Sequence, residues 1–469
     1  MLTGQRILLS GFWSDQREAM QRAGIPVAAS IEPVLEDHAH DPDLAGRIEA
    51  FTHLGMTRAE VGPTYNADIP TDLIRQTFDA AYILFMRAHR RLFQTAPRNA
   101  YSWLDVDNHL HRMIHWCIDL LQRQRVTLAV FHNLPHEGAY VVLYEACRTL
   151  NIPVLVCSQS VFANRFWAMR DIADYGAFSP MQGVRNTALP LPDVPEVPFY
   201  MATLPPENTV SGVSRLLLRE RVKLVLKCLG FAPWIKPRVF QKNVGRVSEL
   251  EQRLVAMRRM EVLYGTFERD RDYIYFPLHL QPEMSTDAMG GIYADQLRAL
   301  EELCAAVPEG MVVCVKENPK QGIYMREPSF FDRLEAIPNV VYLPVSVPSF
   351  ELTRHAAAVA TITGSAGWEA LISGKPAIVF GHAWYGSLPG AHLWQGPETL
   401  EAALAFTPDR DALAGAYGDL TQRMPKGIID PYYGRMLETY DRPAAAVELA
   451  ESMVGILGDM VQDLNTQDG

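Results

Sequence analysis

Apolar runs of strand length alternate with amphipathic stretches of helix length along most of this chain, the pattern of parallel sheets wrapped by helices. In the first half, residues 6–10 read as a strand that opens through Gly11-Phe12-Trp13-Ser14-Asp15 into a helix over about residues 16–23. Further on, 128–131 reads as a strand, 137–150 as a helix and 154–157 as the next strand after the breaker Pro153, which makes a βαβ unit. Between these lie the long apolar stripes of 71–124, such as Ala80 to Phe85, which predict a packed helical layer.

The second half shows the alternation more cleanly. Strands are predicted over 273–276, 311–315, 340–343, 358–362 and 377–380, with helices over 293–306, 349–356 and 366–373 between them. Two doubly wound α/β domains are therefore expected, with extra helices in the N-terminal half. The predicted division is 1–185 for the N-terminal domain, 186–255 for a basic inter-domain segment, 256–435 for the C-terminal domain and 436–469 for a C-terminal helix able to pack back on the first domain.

Composition sharpens this picture. The 469 residues, 48% apolar and 21% charged, can bury the cores of two domains. No apolar run approaches the roughly 20 residues that span a bilayer, and Ile7-Leu8-Leu9 is too short for a signal-peptide core, so a cytoplasmic location is expected. The six cysteines lie in apolar segments without close pairs and read as reduced packing residues. A formal charge of −11 argues against nucleic acid as a partner. The exception is the basic stretch 215–246, whose Arg and Lys residues stand among Leu, Val, Phe and Trp. This composition suits either an anionic membrane surface on the inner face of the cytoplasmic membrane or an ordinary inter-domain helix.

Open α/β sheets bind ligands at the carboxyl ends of their strands, and polar motifs fall there. In Thr361-Ile362-Thr363-Gly364-Ser365-Ala366-Gly367-Trp368-Glu369, a strand ends in a turn of small residues that opens a helix, so backbone N–H groups and the positive end of the helix dipole suit an anion. Ser365 is expected as N-cap and Glu369 as a carboxylate left for ribose hydroxyls; the alternative is a plain turn with Glu369 solvated. After the 273–276 strand, Pro277 and Pro282 stiffen a loop that presents His279, Gln281 and Glu283. There His279 is expected to bond a phosphate or carry a proton near neutral pH, or else to be a satisfied loop histidine. Val315-Lys316-Glu317-Asn318-Pro319-Lys320 offers two lysines for phosphate.

These stretches resemble the capsule polysaccharide biosynthesis proteins that include the bacterial Kdo transferases. The resemblance rests on Pro277-Leu278-His279-Leu280-Gln281-Pro282-Glu283, on Val315-Lys316-Glu317-Asn318-Pro319, and on Thr363 to Leu371 with Gly374-Lys375-Pro376. It implies a GT-B-like fold, two Rossmann-like domains facing a central cleft, in which a CMP-activated sugar lies against Gln281, Lys316, Ser365 and Glu369. The nucleotide-sugar set is thus His279, Gln281, Glu283, Lys316, Asn318, Thr363, Gly364, Ser365, Ala366, Gly367 and Glu369. Where the family has His before Pro, this chain has Asn318, which bonds in both senses but carries no proton.

For the acceptor, Phe131-His132-Asn133-Leu134-Pro135-His136-Glu137-Gly138 follows a strand and opens a helix, making His132, His136 and Glu137 candidates to handle the acceptor hydroxyl proton. Glu137 has the alternative of stabilising the helix start. Ser14, Asp15, Gln159, Ser160 and Arg165 are candidate walls of the acceptor site. Asp105-Val106-Asp107 with His111 and His115 imitates a metal motif, but it reads as the acidic start of a helix, and no metal or tightly bound cofactor is expected.

The expected activity is transfer of a sugar from a nucleotide donor, a CMP-Kdo-like one favoured, to a glycan or glycolipid in surface-polysaccharide assembly. The alternatives are a non-catalytic carbohydrate-binding or assembly subunit, or a sugar-nucleotide epimerase or hydrolase on the same fold.

Overall fold

The computed structural model describes residues 2–32, 50–52, 68–88, 103–136, 138–175, 189–193, 210–231, 237–268, 270–281, 283–321, 326 and 328–467. The chain divides into two compact units, one of Met1–Met86, Val106–Arg185 and Asp419–Gly469, the other of Arg87–Asp105 and Asn186–Gly418. Residues 186–255 thus count with the second unit.

The first unit is built on strands β1 (Ile7–Ser10), β2 (Val27–Glu32), β3 (Ala50–Thr52), β4 (Leu128–Phe131), β5 (Val154–Gln159) and β6 (Phe166–Met169). Their order is β3-β2-β1-β4-β5-β6. All neighbours are parallel except β5 and β6. Helices α1 (Ser14–Arg22), α2 (Thr71–Ala88), α3 (Trp103–Arg123) and α4 (Gly138–Thr149) follow the predicted alternation. In α3 the would-be metal residues sit within a helix, His111 stacking on Phe78 at 4.7 Å and its Nε2 lying 3.9 Å from Asp107. Strand β5 runs two residues beyond its expected end, because Ser158 and Gln159 pair with Trp167 and Phe166 of the antiparallel β6.

In the second unit, α5 (Val210–Phe231) and α6 (Pro237–Leu263) precede strands β7 (Tyr273–Pro277), β8 (Val312–Lys316), β9 (Val340–Leu343), β10 (Ala358–Thr361), β11 (Ala377–Val379) and β12 (Ala391–Leu393). The intervening helices are α7 (Gln296–Ala306), α8 (Pro328–Ala336), α9 (Ser349–His355), α10 (Ser365–Ile372) and α11 (Pro397–Ala405); then come α12 (Arg410–Arg423), in which the division between the units falls, and α13 (Arg442–Gln467), which counts with the first unit. The helix expected over 293–306 begins instead as a 3₁₀ turn, Gly291–Ala294. The order β12-β11-β10-β7-β8-β9 is wholly parallel. Counted from β7 it is the doubly wound order of dinucleotide-binding domains, with its reversal between β7 and β10. Both sheets are therefore Rossmann-like, the pair of units that the GT-B-like class implies.

Helix α13 belongs to the first core. Its Leu449, Met453, Leu457 and Met460 recur at helical spacing and pack with Ile7, Leu9, Leu128, Val130 and Leu155 of the sheet. It also docks on α1, where Arg442 pairs with Asp15 at 2.6 Å. Since Leu457 is wholly buried, Leu457→Ala is expected to cost about 2–5 kcal/mol in denaturant unfolding. A loss below about 0.5 kcal/mol would place the helix outside the core.

Candidate functional site

Strands β10, β7 and β8 are neighbours in the second sheet, so the loops at their carboxyl ends lie side by side. Buried polar groups tie these loops together. Glu317, the residue after β8, forms a two-point ion pair with Arg326, at 3.0 and 2.8 Å, with both side chains at most 2% exposed. The same guanidinium donates to Gln281 Oε1 and to the His279 carbonyl in the loop after β7, each at 2.9 Å. Gln296 at the start of α7 accepts from the His279 N–H and donates to the His279 carbonyl and Gln281 Oε1. Gln321 closes the ring on the backbone of Gln281.

His279 carries this network across the topological switch point. Its Nε2 accepts from the Ile362 N–H at 3.2 Å and lies 2.8 Å from the Thr361 hydroxyl, which itself accepts from the Gly364 N–H. Burial, with help from the Arg326 charge, lowers its pKa to about 4. The ring is therefore neutral at physiological pH and serves as an acceptor, which corrects its expected role as a proton carrier near neutrality.

Lys316 departs from expectation in the same way. Its ammonium donates to the Val347 carbonyl and the Ser349 hydroxyl, each at 2.7 Å, and burial lowers its pKa to about 8. It anchors the start of α9 rather than reaching out from the strand end. Gln281, expected to face a donor, lies buried within the network. Glu283 caps the π-helical turn Met284–Ala288 through the Met284 N–H, and Asn318, only half-buried, accepts from the Lys320 N–H at 2.9 Å.

The N-cap of α10 is Gly364, and Ser365 is the first helical residue, its hydroxyl donating to Glu369 at 3.0 Å. That corrects the expected capping role of Ser365 and the expected independence of Glu369. The reason is space: a Cβ on Gly364 would come within 2.7 Å of the His279 ring, and one on Gly367 within 2.2 Å of the Tyr385 hydroxyl. That hydroxyl donates to the Gly364 carbonyl. Thr363 donates to the Ser285 carbonyl. Ala366 follows Ser365 in the first turn of the helix, and Glu369 is half-buried one turn further on.

In the first unit, His132 follows β4 and is half-buried, its ring packing edge-on against Phe12 and Tyr140. A Cβ on Gly11 would fall 1.8 Å from its Nδ1. The His136 Nδ1 faces the Leu134 carbonyl at 2.7 Å, so Nδ1 carries the proton. Glu137 and Pro282 lie outside the described residues.

The proposed acceptor wall is bound up with the chain's last segment. Asp15 pairs with Arg442, and Gln159 accepts from the Ile429 and Asp430 N–H groups. The Ser160 hydroxyl donates to the Arg165 carbonyl, and Arg165 donates to the Met424 carbonyl. Ser14 starts α1, where Gln16 reaches the Ile428 and Ile429 carbonyls.

The polar strand ends of the second unit fall within a match between residues 235–407 and the family model of the capsule polysaccharide biosynthesis protein. This segment is similar to that capsule biosynthesis family. No curated protein matches the chain in sequence. Among solved structures, two of Thermosulfurimonas dismutans KpsC are similar. The β-Kdo 2,4 transferase has 14% identity over 62% of this chain and 79% of its own, with a TM-score of 0.28. The β-Kdo 2,7 transferase has 13% identity over 68% and 88%, with a TM-score of 0.30. The calicheamicin glycosyltransferase CalG4 has 12% identity over 97% and 99%, with a TM-score of 0.29.

Arg326, Gln296, Gln321 and Tyr385 escape a reading of sequence motifs, since each acts from outside the loop it holds. Removing one member of a buried ion pair leaves the other charge unpaired, so Arg326→Ala is expected to cost about 3–5 kcal/mol in denaturant unfolding. A loss under about 1 kcal/mol would show that the pair does not hold the loops.

His279 gives a second test. Its pKa is lower in the fold than in the unfolded chain, so below pH 6.5 the unfolded state takes up more protons. The stability it contributes is complete above pH 6.5 and is lost as pH falls towards 4, by about 3 kcal/mol. In His279→Gln that part of the pH dependence should vanish, and an unchanged pH profile would assign it elsewhere.

Proposed function

We propose that this chain is a member of the capsule biosynthesis family and a glycosyltransferase that moves a sugar from a nucleotide donor, a CMP-sugar by preference, to a glycan or glycolipid acceptor. The observation that carries the proposal is the convergence of the β7, β8 and β10 loops at the reversal of strand order in the second sheet. Crevices outside such reversals are where doubly wound sheets hold nucleotides. The start of α10 presents backbone N–H groups and the positive end of the helix dipole to a phosphate. Glu369 is assigned to the ribose hydroxyls and Asn318 to the sugar or phosphate by hydrogen bonding alone.

Among the described residues at these strand ends, His279 is neutral and Lys316 is turned inward, so neither is placed to take a substrate proton. The acceptor hydroxyl proton is therefore assigned to the first unit, to His132 or His136 with Glu137. Both histidines stand in the loop after β4, at the carboxyl edge of that sheet.

A ligand that binds only the folded state raises its melting temperature. CMP should stabilise the purified protein by several degrees and do so more than UDP or GDP, and Glu369→Ala should abolish the shift. His132→Ala should cut sugar transfer at least about 100-fold while leaving that shift intact. Stabilisation by UDP or GDP instead would keep the transferase and change the donor. A response to no nucleotide would favour a non-catalytic assembly subunit.

A further inference from the structure

We propose that the outer face of α5 docks on the surface of an anionic lipid bilayer. Helix α5 buries one side against α6, through Val213 and Leu217 packing with Val247, Leu250 and Met257. The other side carries Leu218, Val222, Val225, Leu226 and Leu229, which are 64, 49, 54, 62 and 82% exposed. Their steps along the helix place them on one face, turned away from Val213 and Leu217. Five large aliphatic side chains are thus exposed in one stripe, and an apolar patch of this kind marks a binding surface.

Charge identifies the occupant. Helix α5 holds Arg215, Arg219, Arg221, Lys223 and Lys227 against a single acid, Glu220, in a chain of formal charge −11. Arg221 pairs with Glu251 and Lys223 with Glu220. Arg215 and Arg219 are both exposed; by helical spacing Arg219 lies at the edge of the apolar stripe and Arg215 falls between Val222 and Leu226 within it. An apolar face edged by arginine is the make-up of a helix lying in the plane of a membrane interface, with aliphatic side chains in the acyl boundary and guanidinium groups among anionic headgroups. No helix among the described residues is long and apolar enough to cross a membrane. A second copy would bring like charge against like charge across a two-fold contact, which disfavours self-association through this face. The structure thus narrows the basic stretch 215–246 to one face of one helix. The docking gives the proposed transferase access to a lipid-linked acceptor, but its test is independent of nucleotide binding.

The full-length chain is sedimented with vesicles of phosphatidylcholine alone and with vesicles that also contain phosphatidylglycerol. Wild type should partition onto the anionic vesicles. The variant Leu218→Ser, Val225→Ser, Leu229→Ser should lose that partitioning at least about tenfold, with its melting temperature kept because these side chains are exposed. Arg215→Glu with Arg219→Glu should lose about tenfold at low salt and less at high salt, and it reads the same face should the serine variant prove unstable. Partitioning of both variants at the wild-type level would overturn the proposal. So would a wild type that ignores anionic vesicles, or one that is dimeric where the serine variant is monomeric. A nucleotide-induced thermal shift that survives in both variants separates this outcome from the failure of the donor site.

Discussion

The pairing of Arg326 with Glu317, sealed from water, is the interaction around which the strand ends of the second unit are arranged. Two charges removed from water are costly unless their remaining hydrogen-bonding capacity is met. Here the surplus donors of the guanidinium are met by Gln281 and the His279 carbonyl. The loop after β7 and the residue after β8 are therefore fixed to each other, and neither can shift alone without stranding a buried charge. Gln296 and Gln321 extend the constraint by satisfying the backbone of the same loop.

From there the constraint passes to the helix that opens after β10. His279 is held by its backbone in the first network and by its ring in the second, where the Thr361 hydroxyl and the Ile362 N–H converge on Nε2. Because Gly364 has no side chain, the ring lies directly beneath the N-cap of α10. The start of that helix is thereby positioned relative to the β7 loop before any ligand arrives. Preorganisation of this kind lowers the ordering cost of binding.

The alternation of elements was legible in the sequence because parallel strands buried on both faces read as short continuous apolar runs, such as Tyr273 to Phe276. The places where chemistry gathers were legible too, since polar residues just past such runs fall at one edge of the sheet. What each side chain does there was not. Lys316 and His279 are polar residues at a strand end, and residue type alone does not say whether such a group turns outward to a ligand or inward to satisfy a neighbour. That choice depends on partners far along the chain, Val347 and Ser349 for Lys316 and Thr361 for His279. In the first unit the same blindness applies to Asp15, Gln159 and Arg165. Their partners lie between Met424 and Arg442, and although a C-terminal helix able to pack back on the first domain is expected, no local pattern pairs these side chains with that segment.

The inward turn of these residues changes where binding chemistry is to be sought. A buried histidine held as an acceptor and a lysine committed to a neighbouring loop set the shape of the strand ends without supplying the charge or proton that a substrate would meet. Among the described residues beside them stand the peptide N–H groups at the start of α10, the half-buried Asn318, the exposed Lys320, and Glu369 one turn into the helix. Groups of that kind can hold an anion or hydroxyl groups by hydrogen bonding. An asparagine in place of histidine before Pro319 is consistent with such binding, since a position that only binds loses little when it can no longer titrate.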